Sequence, residues 1–482
     1  LLFFCVLPLL IGLATYLVPL QVGAPSLSFP RAAALAFWAW LIGILIHVVT
    51  VFTDGGLGEP NPTSQFAQGM DPEATELSIL SIGMVVLALL VGTVCVIATI
   101  ISQRPQGMTL FELPLFSWSI LVAGSIWILA LPIWLSNLAI SWVDFLGADA
   151  LRYGAVENIW GQLSWLWSQP MIFAFAIPVL GIVGDIIPVS SGVTQRQYRI
   201  QQIAIGAMGA LSFGAFAQPF FNPDVADQAV FVTMGILVLV PVLVFMGGLA
   251  DTSIRGNLSF SAHLVLSVVG MLALLVAAAA SAFHVLGPAI GAIQEINDSW
   301  LDGLITWLRD VHGTVMATAV MEHVLIASVI GVVAGLYYWS PKIFGYQLNR
   351  NVGALSAITL LGGLVLSGGS NIINGILDEG DEVFNSSAYE GVWDTDAVEF
   401  FNIVGAIGGV LLLAGIGLVV LDLTISVILR KGNSENANDP WNGHTLEWST
   451  DSPPPTGNFS DAPVVDNERP LLFPAVTGGD DQ

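Results

Sequence analysis

The sequence predicts an all-helical bundle spanning a membrane, and three observations predict it. The 482 residues are 55% hydrophobic and only 10% charged, with a mean hydropathy of +0.79, more apolar than a soluble domain of this size requires. Apolar stretches long enough to cross a bilayer, about 20 residues each, follow one another along the chain. Basic residues gather in alternate connections between these stretches, as they do when every second loop faces the cytoplasm.

Eleven segments fit, at about 1–20, 33–54, 76–102, 114–142, 159–190, 201–220, 227–250, 258–285, 313–338, 353–376 and 397–430. These define a transmembrane domain over 1–430, followed by a polar cytoplasmic tail over 431–482. Connections after odd-numbered segments hold Arg31, Arg104, Arg196, Arg199, Arg255, Lys342, Arg350, Arg430 and Lys431. Connections after even-numbered segments hold only Arg152 and Arg309, beside Asp54, Glu59, Asp71, Glu73, Asp144, Asp149, Glu157, Asp378, Glu379, Asp381 and Glu382. The asymmetry places Leu1 at the outer face and the C-terminus in the cytoplasm of a bacterial or archaeal plasma membrane. Leu1 lies inside an apolar run with no basic region before it, which is read as a truncation that removes one upstream helix. Between 290 and 310, Ile290, Ile293, Ile296, Trp300, Leu301, Leu304 and Leu308 share a helical face opposite Glu295, Asp298, Asp302 and Asp310, the pattern of an amphipathic surface helix. Small residues at Gly362-Gly363, Gly368-Gly369 and Gly405 to Gly417 predict close helix packing.

Composition also excludes functions. Twelve Lys and Arg against 36 Asp and Glu leave a net charge of −24, which a nucleic-acid backbone would repel. Cys5 and Cys95, the two cysteines, both lie in apolar stretches and form no metal or redox motif.

Short motifs in a fixed order carry a resemblance. They are Tyr16-Leu-Val-Pro-Leu-Gln-Val-Gly-Ala-Pro25 with Phe29-Pro30-Arg31; Pro105-Gln-Gly-Met-Thr-Leu110 with Pro114-Leu-Phe116; Ile177-Pro178 and Ile186-Ile-Pro188; Tyr337-Tyr-Trp-Ser-Pro-Lys342; and Asp439-Pro-Trp-Asn-Gly443 with Thr445-Leu-Glu-Trp-Ser449 and Pro453-Pro-Pro455. From end to end the chain resembles subunit I of the haem-copper oxidases, the cytochrome c and quinol oxidases. The resemblance implies a twelve-helix bundle of which the first helix is missing here, two haems and one copper, oxygen reduction with proton translocation, and partners resembling subunits II and III.

The ligand positions of that family are substituted. Its His-Pro-Glu-x-x-Tyr motif, whose His binds copper, aligns with Gln169-Pro170-Met171-Ile172-Phe173, and its His-His pair aligns with Gln218-Pro219. Its His-x-His pair, which holds both haem irons, aligns with Val320 and Glu322, one residue before His323. The six histidines are His47, His263, His284, His312, His323 and His444; no two are adjacent or one apart, so neither pair exists in any register. Glutamine is a poor replacement for imidazole as a transition-metal ligand. The proton-route positions align with Ser26, Ala33-Ala34, Met171 and about Phe245, and no Lys or Arg lies from Asn351 to Leu429 to neutralise haem propionates.

Glu322 and His323 fall about ten residues into their helix, roughly 15 Å deep, where an unpaired charge costs about 2.5–3.5 kcal/mol. They are the candidate cofactor-binding residues, weighed against a hydrogen-bonded pair that fills a vacated haem cavity. His312, at an outer edge where the family has a His-Asp pair near a metal, is the candidate metal residue, weighed against a surface histidine because the next residue is Gly313. His47, His263 and His284 read as interfacial. The expectation is a degenerate, non-catalytic subunit I-like protein of an aerobic respiratory complex, binding no cofactor, with subunit II- and III-like proteins or an intact subunit I as partners. Two alternatives stand beside it: a haem-binding electron-transfer or oxidase subunit with non-standard ligands, and a solute or ion carrier.

Overall fold

The computed structural model describes residues 2–53, 72–105, 107–145, 170–214, 233–291, 314–377, 395–434, 438–459, 463–465 and 467–473. They form eleven α-helices, with no strand among the described residues. The helices are α1 (Leu7–Gln21), α2 (Pro30–Phe52), α3 (Pro72–Ser102), α4 (Leu115–Phe145), α5 (Pro170–Ser191), α6 (Tyr198–Gly214), α7 (Leu239–Arg255), α8 (Ala262–Gly291), α9 (Met316–Phe344), α10 (Arg350–Ile376) and α11 (Thr395–Leu423). One π-helical turn, Leu2–Val6, leads into α1, and another, Thr424–Ile428, ends α11.

Ten helices are long and apolar enough to span a bilayer. The eleventh, α6, occupies the predicted 201–220 segment over its 17 described residues. The protein is a polytopic all-α membrane protein. Helix ends follow local chemistry: Pro30 opens α2, the Asn349 side chain accepts from the Asn351 and Val352 amides at the start of α10, and Gly345 ends α9 at φ +75°. Of the predicted surface helix at 290–310, only residues 290 and 291 are described, at the end of α8; the rest lies outside the described residues, as do His312, Gln169, Gln218 and the acidic connection at 378–394.

At the centre stands α5, packed against α4, α6, α7, α8 and α9, its apolar window buried on every side. Helices α2 and α11 lie at the periphery, where Trp38, Phe52, Val410 and Leu413 point outward, as a lipid solvent allows. Small residues bring α10 and α11 together: a Cβ on Gly363 would lie 2.7 Å from Leu412, and one on Gly415 2.7 Å from Leu360. Past α11 the chain turns back under the bundle. Leu446, Glu447, Trp448 and Val465 are buried there, and Lys342 at the end of α9 donates to the Thr450 and Asp451 carbonyls at 2.6 and 3.2 Å. The polar composition of 431–482 therefore contains a docked stretch, anchored on three apolar side chains and a buried acid.

Candidate functional site

The residues singled out at mid-membrane lie where α9 faces α10. Glu322 accepts from the Ser367 hydroxyl through Oε1 and from Asn371 Nδ2, at 2.6 Å, through Oε2. His323 is buried, with Nδ1 2.8 Å from the Ala319 carbonyl. When Nδ1 carries the proton that bond fixes the tautomer and leaves Nε2 as the free ring nitrogen. The ring lies flat on α10 at Gly368, where a Cβ would overlap it and stand 2.9 Å from Nε2. The structure thus brings Glu322 and His323 to the same neighbouring helix and gives each its own partner. Alongside, Asn374 donates to Asn402 of α11 at 2.8 Å, continuing a polar seam through this part of the bundle.

Across α9, the Val320 side chain is buried with Ala280 and Met316, with Phe283 and Ile372 packed around them. Further along, Ser328 donates to the Phe175 carbonyl of α5 at 3.0 Å, and a Cβ on Gly331 would lie 2.9 Å from Val179. Helices α5 and α9 therefore touch directly along this stretch. Phe245, at the position where the resemblance places a lysine, is fully buried and lies 3.1 Å from where a Gly184 Cβ would stand.

A third cluster escaped the sequence reading. At the end of the bundle that carries the tail, Gln21 Nε2 donates to Asp185 Oδ2 at 3.1 Å and to Glu447 Oε1 at 3.2 Å. Asp185 also accepts the first amides of α4, Leu115 at 3.1 Å and Phe116 at 3.2 Å, where the helix dipole favours a negative group. Ser117 donates to the Gln21 carbonyl oxygen at 2.7 Å, and Trp339 Nε1 to Glu447 Oε1 at 3.1 Å. Burial pushes the Glu447 carboxyl up from its ordinary range, and its hydrogen bonds from Thr445, Trp339 and Gln21 hold it back in part. The signal was present: Asp185 is an acid inside an apolar segment, which marks a buried partner or a function, and Glu447 lies within the quoted Thr445 to Ser449 motif.

His263 and His284 are both buried; His263, the second residue of α8, packs edge-on to Tyr338 and Trp441, at 5.4 and 4.6 Å between ring centres. His47 is half-buried, 3.3 Å from the Ser81 hydroxyl through Nδ1.

The sequence matches the family described as Cytochrome C and Quinol oxidase polypeptide I over residues 1–411. The chain belongs to that family. Among similar proteins is the probable cytochrome c oxidase subunit 1-beta of Nocardia farcinica, 27% identical over 98% of this chain and 77% of that one. Cytochrome c oxidase subunit 1 of Bacillus subtilis is 28% identical over 99% of this chain and 74% of its own length. The Heme-copper oxidase subunit I+III of Aeropyrum pernix is 26% identical over 97% of this chain and 55% of its length. The chain is thus a terminal-oxidase subunit I homologue.

Membership in the oxidase polypeptide I family corrects one expectation. A chain that binds no cofactor is contradicted by a family for which the resemblance implies haem and copper, and by the buried imidazoles of His263, His284, His323 and His444. The residues present nevertheless differ from the ligand set that the resemblance implies. Val320 lies in an apolar cluster, Glu322 is engaged by Ser367 and Asn371, and the His323 ring faces α10 at Gly368. No three His, Cys, Asp or Glu among the described residues converge as ligands for a metal ion. Val320 and Glu322, which align with the family's His-x-His pair, carry no imidazole, and no reaction step is derived through them.

Proposed function

We propose that this subunit I homologue serves an aerobic respiratory electron-transport complex as a structural or assembly component, without itself reducing oxygen by haem-copper chemistry. The observation that carries this reading is the absence of any His-His or His-x-His pair among its six histidines. Oxygen reduction of the family's kind requires an open coordination site next to a copper held by imidazoles, and the substitutions remove that arrangement while the bundle persists. The partners are subunit II- and III-like proteins or an intact subunit I, and the name of the Aeropyrum pernix relative, subunit I+III, supports a shared surface. The membrane is a plasma membrane, with the tail-bearing end in the cytoplasm; Arg31, Arg104, Arg196, Arg199, Arg255, Lys342, Arg350, Arg430 and Lys431 all lie at that end.

A second reading, electron transfer through a haem on non-standard ligands, is favoured by the Nδ1 anchor of His323, which a metal-ligating imidazole also requires. Native electrophoresis of the full-length protein from its own membranes tests the first reading: co-migration with other oxidase subunits is expected, and a chain that migrates alone in every detergent overturns it. A reduced-minus-oxidised spectrum on the same sample separates the two. A haem band lost in His323→Ala puts the second reading in place of the first.

A further inference from the structure

On the tail-bearing face, between the end of α5, the start of α8, the α9–α10 connection and the docked tail, lies a polar cavity of about 710 Å³. Its chemistry is unlike the chain as a whole. Although acids outnumber bases 36 to 12, no Asp or Glu lines it among the described residues, whereas Arg350, His263 and His444 do. The Arg350 guanidinium is exposed and makes no ion pair among the described residues; the one ion pair found there joins Arg255 to Asp251. Ser190 also lines the cavity, and its buried hydroxyl has no hydrogen-bond partner among the described residues. Asn257 and Asn442 add side-chain amides to the lining. Two acids adjoining the lining residues in sequence or by hydrogen bond are otherwise engaged: Asp422 accepts from Tyr337 at 2.7 Å and from the Asn349 amide at 2.9 Å, and Asp439 from the Gly443 amide at 2.9 Å.

We infer that this cavity binds a phosphate-class oxyanion. A guanidinium presents a planar fork that matches a tetrahedral oxyanion, and hydroxyl, amide and imidazole N–H donors complete the remaining acceptor sites. A cation would meet Arg350 with no carboxylate among the described lining residues to offset it, and an apolar ligand would strand the Ser190 hydroxyl. Burial, and then the Arg469 guanidinium outside the lining, hold the His444 imidazole down to about 4, so it is neutral near pH 7. A bound anion would oppose that second effect.

Phosphate can arrive free or as the headgroup of an anionic lipid, since the cavity lies at the ends of spanning helices. The test uses the full-length protein in nanodiscs of phosphatidylcholine alone or with phosphatidic acid. Saturable uptake of radiolabelled inorganic phosphate in phosphatidylcholine discs, weakened about tenfold or more in Arg350→Gln and Ser190→Ala, assigns a free anion. No phosphate uptake, but phosphatidic acid retained after delipidation in the wild type and lost in Arg350→Gln, assigns a headgroup. Arg31→Gln, at the start of α2, removes the same charge elsewhere and is expected to leave either signal unchanged. Neither ligand bound, or binding equally reduced by Arg31→Gln, overturns the inference. Thermal unfolding of each variant distinguishes a lost site from a lost fold.

Discussion

Gln21 holds two acids apart and together at once. Its single amide nitrogen serves Asp185 and Glu447, both buried, so the two carboxyls sit in one low-dielectric pocket with only neutral donors around them. Gln21→Leu removes both donors and leaves the acceptors facing each other. It is expected to lower the unfolding midpoint in detergent by the equivalent of about 1–3 kcal/mol for each stranded group. A short distance away His444 gives the tail a pH dependence. Its folded value of about 4 lies below the ordinary 6.5, so the unfolded tail takes up a proton first; stability is full above 6.5 and is lost as pH falls towards 4. Limited proteolysis is expected to cut the 439–473 stretch faster at pH 5 than at pH 7, and His444→Gln to flatten the difference. Glu447 works the other way, with its raised value stabilising the folded form below the unfolded range and losing that contribution as pH rises. Neither residue announces itself in a hydropathy average. Asp185 was nonetheless legible as an acid inside an apolar segment, and Glu447 was legible only as part of a motif.

At the scale of the helix, α5 shows why some positions in the bundle accept no side chain. A Cβ on Gly181 would overlap the Ser119 hydroxyl and stand 2.6 Å from the Leu115 carbonyl, both in α4, and one on Gly184 would stand 2.5 Å from Leu115. Gly206 on α6 differs, since its nearest neighbour, Trp118, is 3.8 Å away. Gly181→Ala is therefore expected to reduce the folded, monodisperse fraction in fluorescence-detected size exclusion sharply, and Gly206→Ala to leave it near the wild type. The segments were legible from apolar length, and the close approach of α10 and α11 from their runs of small residues. Which helix is central was not, because α5 and its peripheral neighbours have similar apolar composition and differ only in what surrounds them. The direct contact of α5 with α9 through Ser328 and Gly331 likewise depends on two segments far apart in sequence.

For the whole molecule, the order of the motifs made the family legible before any contact was known. The packed tail and the oxyanion cavity were not legible. The tail is held by Leu446, Trp448 and Val465 within a polar, proline-rich stretch, and the cavity draws its lining from four regions of the chain. The expectation of a cofactor-free protein failed for a related reason: loss of a family's ligand pattern removes specific positions, not every buried imidazole. The proposed reading is of an oxidase-family bundle in which Val320, Phe245 and a Glu322 engaged by α10 stand where the resemblance places functional residues. Oxygen uptake by the purified full-length chain, supplied with a reduced electron donor in an oxygen electrode, tests this most directly. No cyanide-sensitive uptake is predicted; sustained uptake abolished by cyanide would contradict the account.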